Sequence, residues 1–331
     1  MQLFLTTLQQ VGVLLTFIFI GYFFRKKDVI TEGGKKMLAK LIVNFFAPCY
    51  TVMSLSTIVN IDDIVQYAFL ILAGVGFAVV AIFLAILFAR IFTKERLQRN
   101  ILIYAFAFSN IAYFGYPVVA QIFGEVMRAQ MILFALPSTI AIYTYGYYVL
   151  TSGLGGEKQE KTSIKQKISF LWMPPMIGAY VGISLGLLSS GIGFTIPSII
   201  TDILQLAGNC QSAPAMLLTG AVLAKIPFKK LFVSWRSYAV GIIRLLVLPA
   251  IVGGIFFIIH LCGAGGETFK LVFRLAIIVS AMPVGMNTVV FPESVGHDST
   301  EGAKTCFMSY VLALGAMPLV FTLMETVAVY L

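Results

Sequence analysis

Two stretches of the sequence decide the fold: Phe114-Gly115-Tyr116-Pro117 and Ala281-Met282-Pro283-Val284-Gly285. Each lies near the middle of an apolar segment that is long enough to cross a bilayer. Proline lacks a backbone NH and collides with the preceding turn, so a helix opened there exposes polar backbone groups. Hydrocarbon tolerates such groups only where protein or a water-filled cavity surrounds them. Interrupted segments at matching positions in two halves of a chain are typical of a transport site.

The composition indicates an integral membrane protein. Hydrophobic residues make up 59% of the 331 residues and charged residues only 11%, whereas a soluble domain is about 25% charged. The first apolar run is expected to remain as a helix, because no basic residue precedes it and it is too long for a signal-peptide core. Ten apolar runs reach the roughly 20 residues that a membrane helix needs, namely 3–24, 37–57, 66–89, 100–123, 129–150, 169–190, 197–223, 238–260, 271–292 and 306–328. The sequence therefore predicts an all-α polytopic membrane protein with ten transmembrane helices.

Lysine and arginine are concentrated in alternate connections between these runs. The connections after the first, third, fifth, seventh and ninth helices carry them, and the other connections hold only Arg128 and Lys270. By the positive-inside rule the basic connections are cytoplasmic, which places both termini outside the inner (plasma) membrane. The net charge of +9 is explained by this orientation and by anionic lipid headgroups, so no nucleic-acid partner is expected.

Five helices in each half predict inverted repeats, because an odd number makes the second copy enter the membrane from the opposite side. Pro117 and Pro283 are 166 residues apart (283 minus 117), and Pro48 and Pro214 share that spacing (214 minus 48). We therefore predict a first repeat at 1–150, a cytoplasmic linker at 151–167 and a second repeat at 168–331. The linker is polar and rich in glycine, which is typical of a flexible connection.

The two breaks predict a binding site for an anion. Pro117 and Pro283 each suit the first position of a new half-helix. Its N-terminus would carry about half a positive charge near the bilayer midplane, so an anion needs no basic side chain there. Neutral side chains beside the breaks offer further hydrogen bonds. The predicted substrate-binding residues are Ser109, Asn110, Gly115, Pro117, Pro283, Gly285, Asn287 and Thr288.

Other interpretations compete at individual positions. A single proline can be a simple kink, and a single membrane asparagine can be a bond between helices. Asn44 and Asn209 are weaker site candidates, since the helices that contain them can simply pack together. Lys40, Arg244 and Arg274 lie close to predicted helix ends, where snorkelling to an interface explains them. For Arg274 a guiding role for anions is a secondary hypothesis.

The coupling mechanism has little support in the sequence. A carboxylate in mid-membrane usually marks an ion or proton path, and we expect none there: Asp202 and Glu325 lie toward outer helix ends, and Glu293, Asp298 and Glu301 are predicted to be cytoplasmic. Uniport, or transport driven by the membrane potential, is therefore consistent with the sequence. Sodium held by backbone carbonyls would leave no mark in a sequence, so sodium coupling stays open.

An enzyme is disfavoured. The two histidines are predicted at different depths, and the four cysteines have neither metal-binding nor disulfide spacing. No catalytic centre, metal or cofactor is expected. A membrane sensor that binds the same ligand without moving it is the main alternative. A channel is disfavoured, because pores are usually lined by rings of charges or carbonyls.

The chain resembles the auxin efflux carrier family, which includes plant auxin exporters and bacterial malonate or malate carriers. The resemblance covers essentially the whole chain and rests on Asn110-Ile111-Ala112-Tyr113-Phe114-Gly115-Tyr116-Pro117, Met282-Pro283 with Asn287, Ala213-Pro214-Ala215-Met216 and Val295-Gly296-His297-Asp298. It implies two inverted five-helix repeats whose broken helices 4 and 9 cross at mid-membrane.

The resemblance also implies a division of labour among the helices. Helices 1, 2, 6 and 7 would form a scaffold, and helices 3–5 and 8–10 a transport domain that moves against it like an elevator. Homodimers through the scaffold are the family expectation, and the short linker is similar to that of bacterial members. The implied substrate is an organic carboxylate, either a dicarboxylate or an auxin-like aromatic acid, with the direction of transport open.

Overall fold

The computed structural model describes residues 2–58, 61–151 and 172–331, with the side chains of 2–3, 58 and 61–67 left out. From residue 152 onward the predicted linker lies outside the described residues. The described chain is all-helical and contains no β-strand, apart from one isolated bridge between Ser109 and Val284. The predicted all-α class is confirmed.

The helices are numbered here in chain order over the described residues. They are α1 (Gln2–Lys26), α2 (Glu32–Leu41), α3 (Ala47–Ile58), α4 (Ile61–Phe92), α5 (Arg96–Ala107), α6 (Tyr116–Ala141), α7 (Tyr147–Thr151), α8 (Pro174–Ile192), α9 (Ser198–Asn209), α10 (Ser212–Leu223), α11 (Phe228–Leu231), α12 (Trp235–Ile242), α13 (Leu248–Leu261), α14 (Glu267–Ser280), α15 (Asn287–Ser294) and α16 (Thr300–Ala328). Wider π-helical segments precede α3, α6, α7 and α13, at Ile42–Phe46, Ile111–Gly115, Ile142–Gly146 and Ile243–Val247. Such segments are rare and frequently lie at functional sites.

Seven helical stretches of the described chain are long and apolar enough to cross a membrane. They are Phe4–Lys26, Glu32–Thr57, Ala68–Phe92, Ile111–Thr151, Pro174–Ile192, Trp235–Leu261 and Thr300–Ala328. The fourth stretch is interrupted at Gly124, whose φ of 87° is a conformation that favours glycine. The predicted runs 197–223 and 271–292 are each divided into two shorter helices, α9 with α10 and α14 with α15.

Two helix pairs make the most extensive contacts between separate helices: α3 with α8, and α1 with α10. Glycine allows both approaches. A Cβ atom added to Gly220 of α10 would lie 1.9 Å from the carbonyl oxygen of Ile18 in α1. A Cβ atom on Gly178 of α8 would lie 2.8 Å from the carbonyl oxygen of Pro48 in α3. Small residues let membrane helices pack backbone to backbone, so the two helices of each pair are closely packed against each other.

The centre of the molecule is formed by two segments that are distant in sequence. Every residue from Leu102 to Ile111 is buried, and so is every residue from Leu275 to Glu293. Both segments are helical at either end and irregular in the middle. Irregular backbone at this depth is stable only when its polar groups find partners inside the protein, and those partners define the site.

Candidate functional site

Two irregular segments, residues 108–110 and residues 281–286, meet at the centre of the molecule. The backbone NH of Asn110 donates to the carbonyl oxygen of Pro283 at 2.9 Å, and that of Gly285 donates to Phe108 at 3.2 Å. These two bonds enclose the antiparallel bridge between Ser109 and Val284. Each segment therefore satisfies backbone groups that the other leaves free. We refer to residues 108–110 and 281–286 together as the junction.

Helix α16 supports the second segment of the junction. The hydroxyl oxygen of Ser309 accepts a hydrogen bond from the NH of Val284 at 3.0 Å. The thiol of Cys306 donates to the carbonyl oxygen of Val284 at 3.5 Å. The backbone NH and the carbonyl oxygen of Val284 are thus both bonded to side chains of α16, which fixes the position of the segment in the core.

The junction differs from the prediction in where the helices restart. Pro117 lies inside the helical stretch that begins at Ile111, and it is exposed. Pro283 is buried in the irregular segment, before α15 begins at Asn287. The prediction that the proline occupies the first position of a half-helix was therefore wrong for Pro283, whereas Pro117 lies in the first turn of α6 but after the π-helical residues that begin at Ile111. The physical reason is that Asn110 caps the first restart itself, since its side-chain oxygen accepts the NH of Tyr113 at 3.2 Å.

A cavity lies between the junction, α3, α8 and the π-helical segments on either side of α6. The space inside it that the centre of a water molecule can occupy is about 50 Å³, so the cavity is narrow in this conformation. No charged residue lines it among the described residues. Its polar lining consists of hydroxyl and amide side chains and is made up of Tyr50, Thr51, Ser54, Ser109, Asn110, Tyr113, Tyr116, Thr139, Tyr143 and Asn287. A site of this kind offers both donors and acceptors without a fixed charge.

Asn110 and Asn287 are connected to the protein by tyrosines. The side-chain NH₂ of Asn110 donates to the hydroxyl of Tyr310 in α16. The hydroxyl of Tyr113 donates to the side-chain oxygen of Asn287 at 3.1 Å. Buried side chains that are bonded in this way keep a single orientation. The two asparagines are therefore held in place at the cavity wall rather than free to rotate.

Aromatic side chains form the opposite wall of the cavity. The rings of Tyr50 and Tyr116 stack with centroids 6.2 Å apart and planes 16° from parallel. Pro175 and Met176 of α8 complete this side. The cavity consequently combines hydroxyl and amide groups with aromatic and aliphatic surface, which suits an amphipathic ligand.

The predicted site residues divide into two groups. Ser109, Asn110, Gly285 and Asn287 line the cavity, whereas Gly115, Pro117, Pro283 and Thr288 do not. The hydroxyl of Thr288 donates to Gly285 at 3.0 Å, so its role is local. A Cβ atom on Gly115 would lie 2.4 Å from the sulfur of Met282, so Gly115 permits the close approach of the two segments.

The secondary candidates lie elsewhere. Asn44 is exposed, and its side-chain NH₂ donates to the carbonyl oxygen of Lys40 at 2.8 Å. Asn209 is exposed at the end of α9. Arg274 is paired with Glu325 at 2.9 Å. None of the three secondary candidates belongs to the cavity lining.

Arg244 is the main residue that the sequence analysis assigned wrongly. Snorkelling was predicted, but the side chain is buried, with 2% of its surface exposed. Its three guanidinium nitrogens donate to the carbonyl oxygens of Met282, Phe106 and Val279, at 3.2 Å from Nε to Met282 and 3.3 Å from Nη2 to Val279. The side chain therefore points inward to the junction rather than outward to an interface.

Two lysines and two carboxylates that the sequence predicts in or beside the cytoplasmic connections form ion pairs, and one of these pairs is buried. Lys35 of α2 and Glu293 of α15 are each less than 10% exposed, and Nζ of Lys35 lies 3.8 Å from a carboxylate oxygen of Glu293 and 2.8 Å from one of Glu32 in its own helix. The carboxylate of Glu293 also accepts the hydroxyl of Ser299 at 2.8 Å. Nearby, Lys225 pairs with Asp298 at 2.9 Å. We refer to Lys35–Glu293 and Lys225–Asp298 as the paired lysines.

Hydrogen bonding determines the ionisation of the second of these pairs. The bond to Asp298 raises the pKa of the Lys225 ammonium group. Burial opposes ionisation of Asp298, but hydrogen bonds from Lys225 and Thr300 outweigh it and lower the pKa of the carboxyl group. Both groups are therefore charged at neutral pH.

Comparisons with known proteins agree on one class. The family described as "Membrane transport protein" matches residues 6–321. An uncharacterized transporter of Methanocaldococcus jannaschii is 25% identical over 304 residues, which cover 91% of this chain and 94% of that protein. An uncharacterized transporter of Methanothermobacter thermautotrophicus is 23% identical over 322 residues, which cover 96% of this chain and 98% of that protein.

Proposed function

We propose, from its membership of the membrane transport protein family, that the chain is a secondary carrier of organic carboxylate anions. That membership confirms the resemblance to auxin efflux carriers and makes the chain a transporter rather than an enzyme. The cavity beside the junction is the proposed binding site. Asn110 and Asn287 would hydrogen-bond the carboxylate, with Ser109 and Gly285 beside them.

The observation that carries this proposal is the neutral, hydrogen-bonding cavity at the junction. A helical segment begins on each side of the cavity, at Ile111 and at Asn287. The start of a helix favours negative charge because its dipole is positive there, although the NH groups of Ile111, Tyr113, Thr288 and Val289 already have acceptors within the protein. The stacked rings of Tyr50 and Tyr116 would cover the carbon skeleton of the substrate.

We also propose ten membrane crossings arranged as two inverted repeats. Seven long stretches account for most of them. The other three would be composite: α5 with residues 111–123, α9 with α10, and α14 with α15. In that arrangement the fourth and ninth crossings are the ones that contain the junction.

The helix pairs support an inverted repeat. In an inverted repeat the first crossing (α1) corresponds to the sixth (α8), and the second crossing (which contains α3) corresponds to the seventh (which contains α10). The contact of α1 with α10 is then the counterpart of the contact of α8 with α3. These are the two pairs with the most extensive contacts. They would form the scaffold, and the junction helices the transport domain.

The position of the cavity supports an elevator mechanism in this architecture. The cavity lies between the proposed scaffold helices, α3 and α8, and the junction. Movement of the junction along α3 and α8 would expose the same site first to one side of the membrane and then to the other. The proposed protein is a homodimer of the inner membrane, with both termini outside and the linker in the cytoplasm.

Uptake by proteoliposomes tests the transport activity. A panel of radiolabelled mono-, di- and aromatic carboxylates is offered with and without an imposed potential, and with unlabelled substrate inside for counterflow. A carrier gives saturable uptake that counterflow accelerates. An inside-negative potential opposes entry of an anion by about 2.3 kcal/mol per charge per 100 mV. Saturable binding without uptake would instead identify a sensor, and uptake that rises linearly with concentration would identify a channel.

A further inference from the structure

Arg244 occupies an unusual position for a cation. It lies in the π-helical segment Ile243–Val247 between α12 and α13, deep in the core. Each of its three guanidinium nitrogens donates to a backbone carbonyl oxygen, one from Phe106 and two from Val279 and Met282. The side chain thus contacts the ends of both helices that lead into the junction, α5 and α14, and Met282 of the junction itself.

These carbonyls belong to the ends of interrupted helices. Phe106 is the last residue but one of α5, Val279 is the last residue but one of α14, and Met282 follows in the irregular segment. The last carbonyls of a helix lack intrahelical partners and carry its negative partial charge. Two such ends converging on one point form a site for a cation, and carriers with broken helices commonly hold a coupling Na⁺ at such carbonyls.

No carboxylate neutralises Arg244. None of its nitrogens forms an ion pair with an aspartate or glutamate of the described chain. The cavity on the other side of the junction also has no charged residue among those described. A buried charge without a counterion is costly, and an anion at the junction would reduce that cost. The guanidinium and a bound carboxylate therefore favour each other.

We propose that Arg244 is a tethered cation that fills the carbonyl site of the junction in place of a coupling metal ion. It holds the ends of α5 and α14 together and supplies the positive charge that a bound Na⁺ would supply. The carrier then requires no sodium. This inference names the coupling of the transport proposed above and rests on it, but its first test needs no substrate.

The first test is thermal unfolding of purified protein. Arg244→Ala is expected to unfold at least about 5 °C below the wild type, because three carbonyl oxygens lose the bond from the guanidinium, although that of Val279 keeps the hydroxyl of Ser109 as a donor. Methylguanidinium should restore part of that loss, since a ligand that binds only the folded state stabilises it. It should leave the wild type unchanged. Arg274→Ala, which removes a partly exposed arginine paired with Glu325, is the matched control and should not respond to methylguanidinium.

A second pair of variants covers the case in which Arg244→Ala does not fold. Arg244→Lys keeps the charge, and Arg244→Gln keeps the hydrogen-bonding capacity without it. The lysine variant should unfold at the higher temperature. Equal temperatures, or a more stable glutamine variant, would show that charge is not what the site needs and would overturn the proposal. The proposal would also be overturned if Arg244→Ala folds and methylguanidinium does not raise its unfolding temperature.

Counterflow provides the transport arm. Replacing Na⁺ by choline should leave the counterflow rate of the wild type with the best carboxylate unchanged. In choline, the counterflow rate of Arg244→Ala should be at least about tenfold lower than that of the wild type. Methylguanidinium should restore part of that rate. A wild type that requires Na⁺ would overturn the proposal. If no carboxylate is transported at all, the proposed function fails, while the unfolding experiments still decide whether Arg244 is a tethered cation.

Discussion

At the scale of single residues, the site depends on amides whose orientation is set by tyrosines. The hydroxyl of Tyr113 donates to the side-chain oxygen of Asn287, which fixes which end of the amide is turned to its neighbour. The NH₂ group of Asn287 is then the end that donates, and an anion in the cavity would compete for it with the hydroxyl of Tyr104. The affinity for substrate should therefore depend on Tyr113, even if Tyr113 does not itself touch the substrate.

Tyr113→Phe tests this dependence. Losing a hydrogen bond of about 1 kcal/mol should weaken the apparent affinity for the transported carboxylate about fivefold, while the ring still fills its place. The measurement is the concentration dependence of counterflow. Tyr148→Phe, at a position 42% exposed, is the control and should behave as the wild type. An unchanged half-saturation concentration in Tyr113→Phe would show that the amide needs no such support.

Only some of the site residues could be predicted from the sequence. Asn110 and Asn287 were found because each lies close in sequence to a proline that signals a break. Arg244 was missed because its carbonyl partners are at least 35 residues away in the chain, and a basic residue near a helix end has the same local pattern whether it snorkels or is buried. The cavity tyrosines carried no local signal, since tyrosine is common in apolar runs.

At the scale of helices, glycine determines how closely elements pack. Gly220 of α10 faces α1, where an added Cβ atom would meet backbone atoms of Ile18 and Tyr22 at 1.9 and 2.7 Å. Backbone cannot move aside as a flexible side chain can, so the two helices would have to separate. The pair α1 with α10 belongs to the proposed scaffold.

Gly220→Ala is therefore expected to destabilise the protein by about 1–3 kcal/mol, the usual cost of overpacking. That should lower the unfolding temperature by several degrees. The control is Gly12→Ala. Gly12 lies in α1 at a position where an added Cβ atom meets nothing within 4 Å, so this substitution should be neutral or stabilising by up to about 1 kcal/mol. Equal unfolding temperatures for the two variants would mean that the close contact does not contribute to stability.

The helical elements were largely readable from the sequence because apolar runs of membrane length have few alternatives. The points at which helices restart were not. Proline was used as the marker of each restart, but side-chain capping by Asn110 and support of Val284 by α16 moved the restarts away from Pro117 and Pro283. Both effects depend on contacts that a local pattern does not contain.

At the scale of the whole molecule, the paired lysines connect parts that the elevator proposal moves apart. Lys35 of α2 and Lys225, just beyond α10, lie on the proposed scaffold side. Their partners, Glu293 and Asp298, lie at the end of α15 and just before α16, on the proposed transport side. These ion pairs would favour the conformation described here over the other end of the transport cycle.

Asp298→Asn should therefore change the rate of exchange. Weakening this contact is expected to alter counterflow a few-fold, in keeping with the modest strength of a partly exposed ion pair, without changing the half-saturation concentration. Glu301→Gln removes a pair within α16 and is the matched control. If both variants exchange at the wild-type rate, the pair does not control the conformational equilibrium.

The pH dependence of this effect follows from the pKa shifts. The carboxyl pKa of Asp298 is lowered from 3.8, so the stability that the pair contributes is complete above that value and lost as pH falls through the lowered pKa. The Lys225 pKa is raised from 10.5, so its contribution is lost only above that range. The difference in exchange rate between wild type and Asp298→Asn should stay constant between about pH 5 and pH 8.

The central claim is that an organic carboxylate is bound at the junction and carried from there. Counterflow of the best carboxylate in proteoliposomes tests it with Asn110→Ala, Asn287→Ala and the control Asn44→Ala, whose asparagine is exposed and outside the cavity. Each junction variant should lose at least about tenfold in apparent affinity or rate, because a buried hydrogen bond to a charged group contributes about 1.5–3 kcal/mol, and the control should keep wild-type flux. Wild-type counterflow in both folded junction variants would contradict the account and leave the junction a purely structural feature.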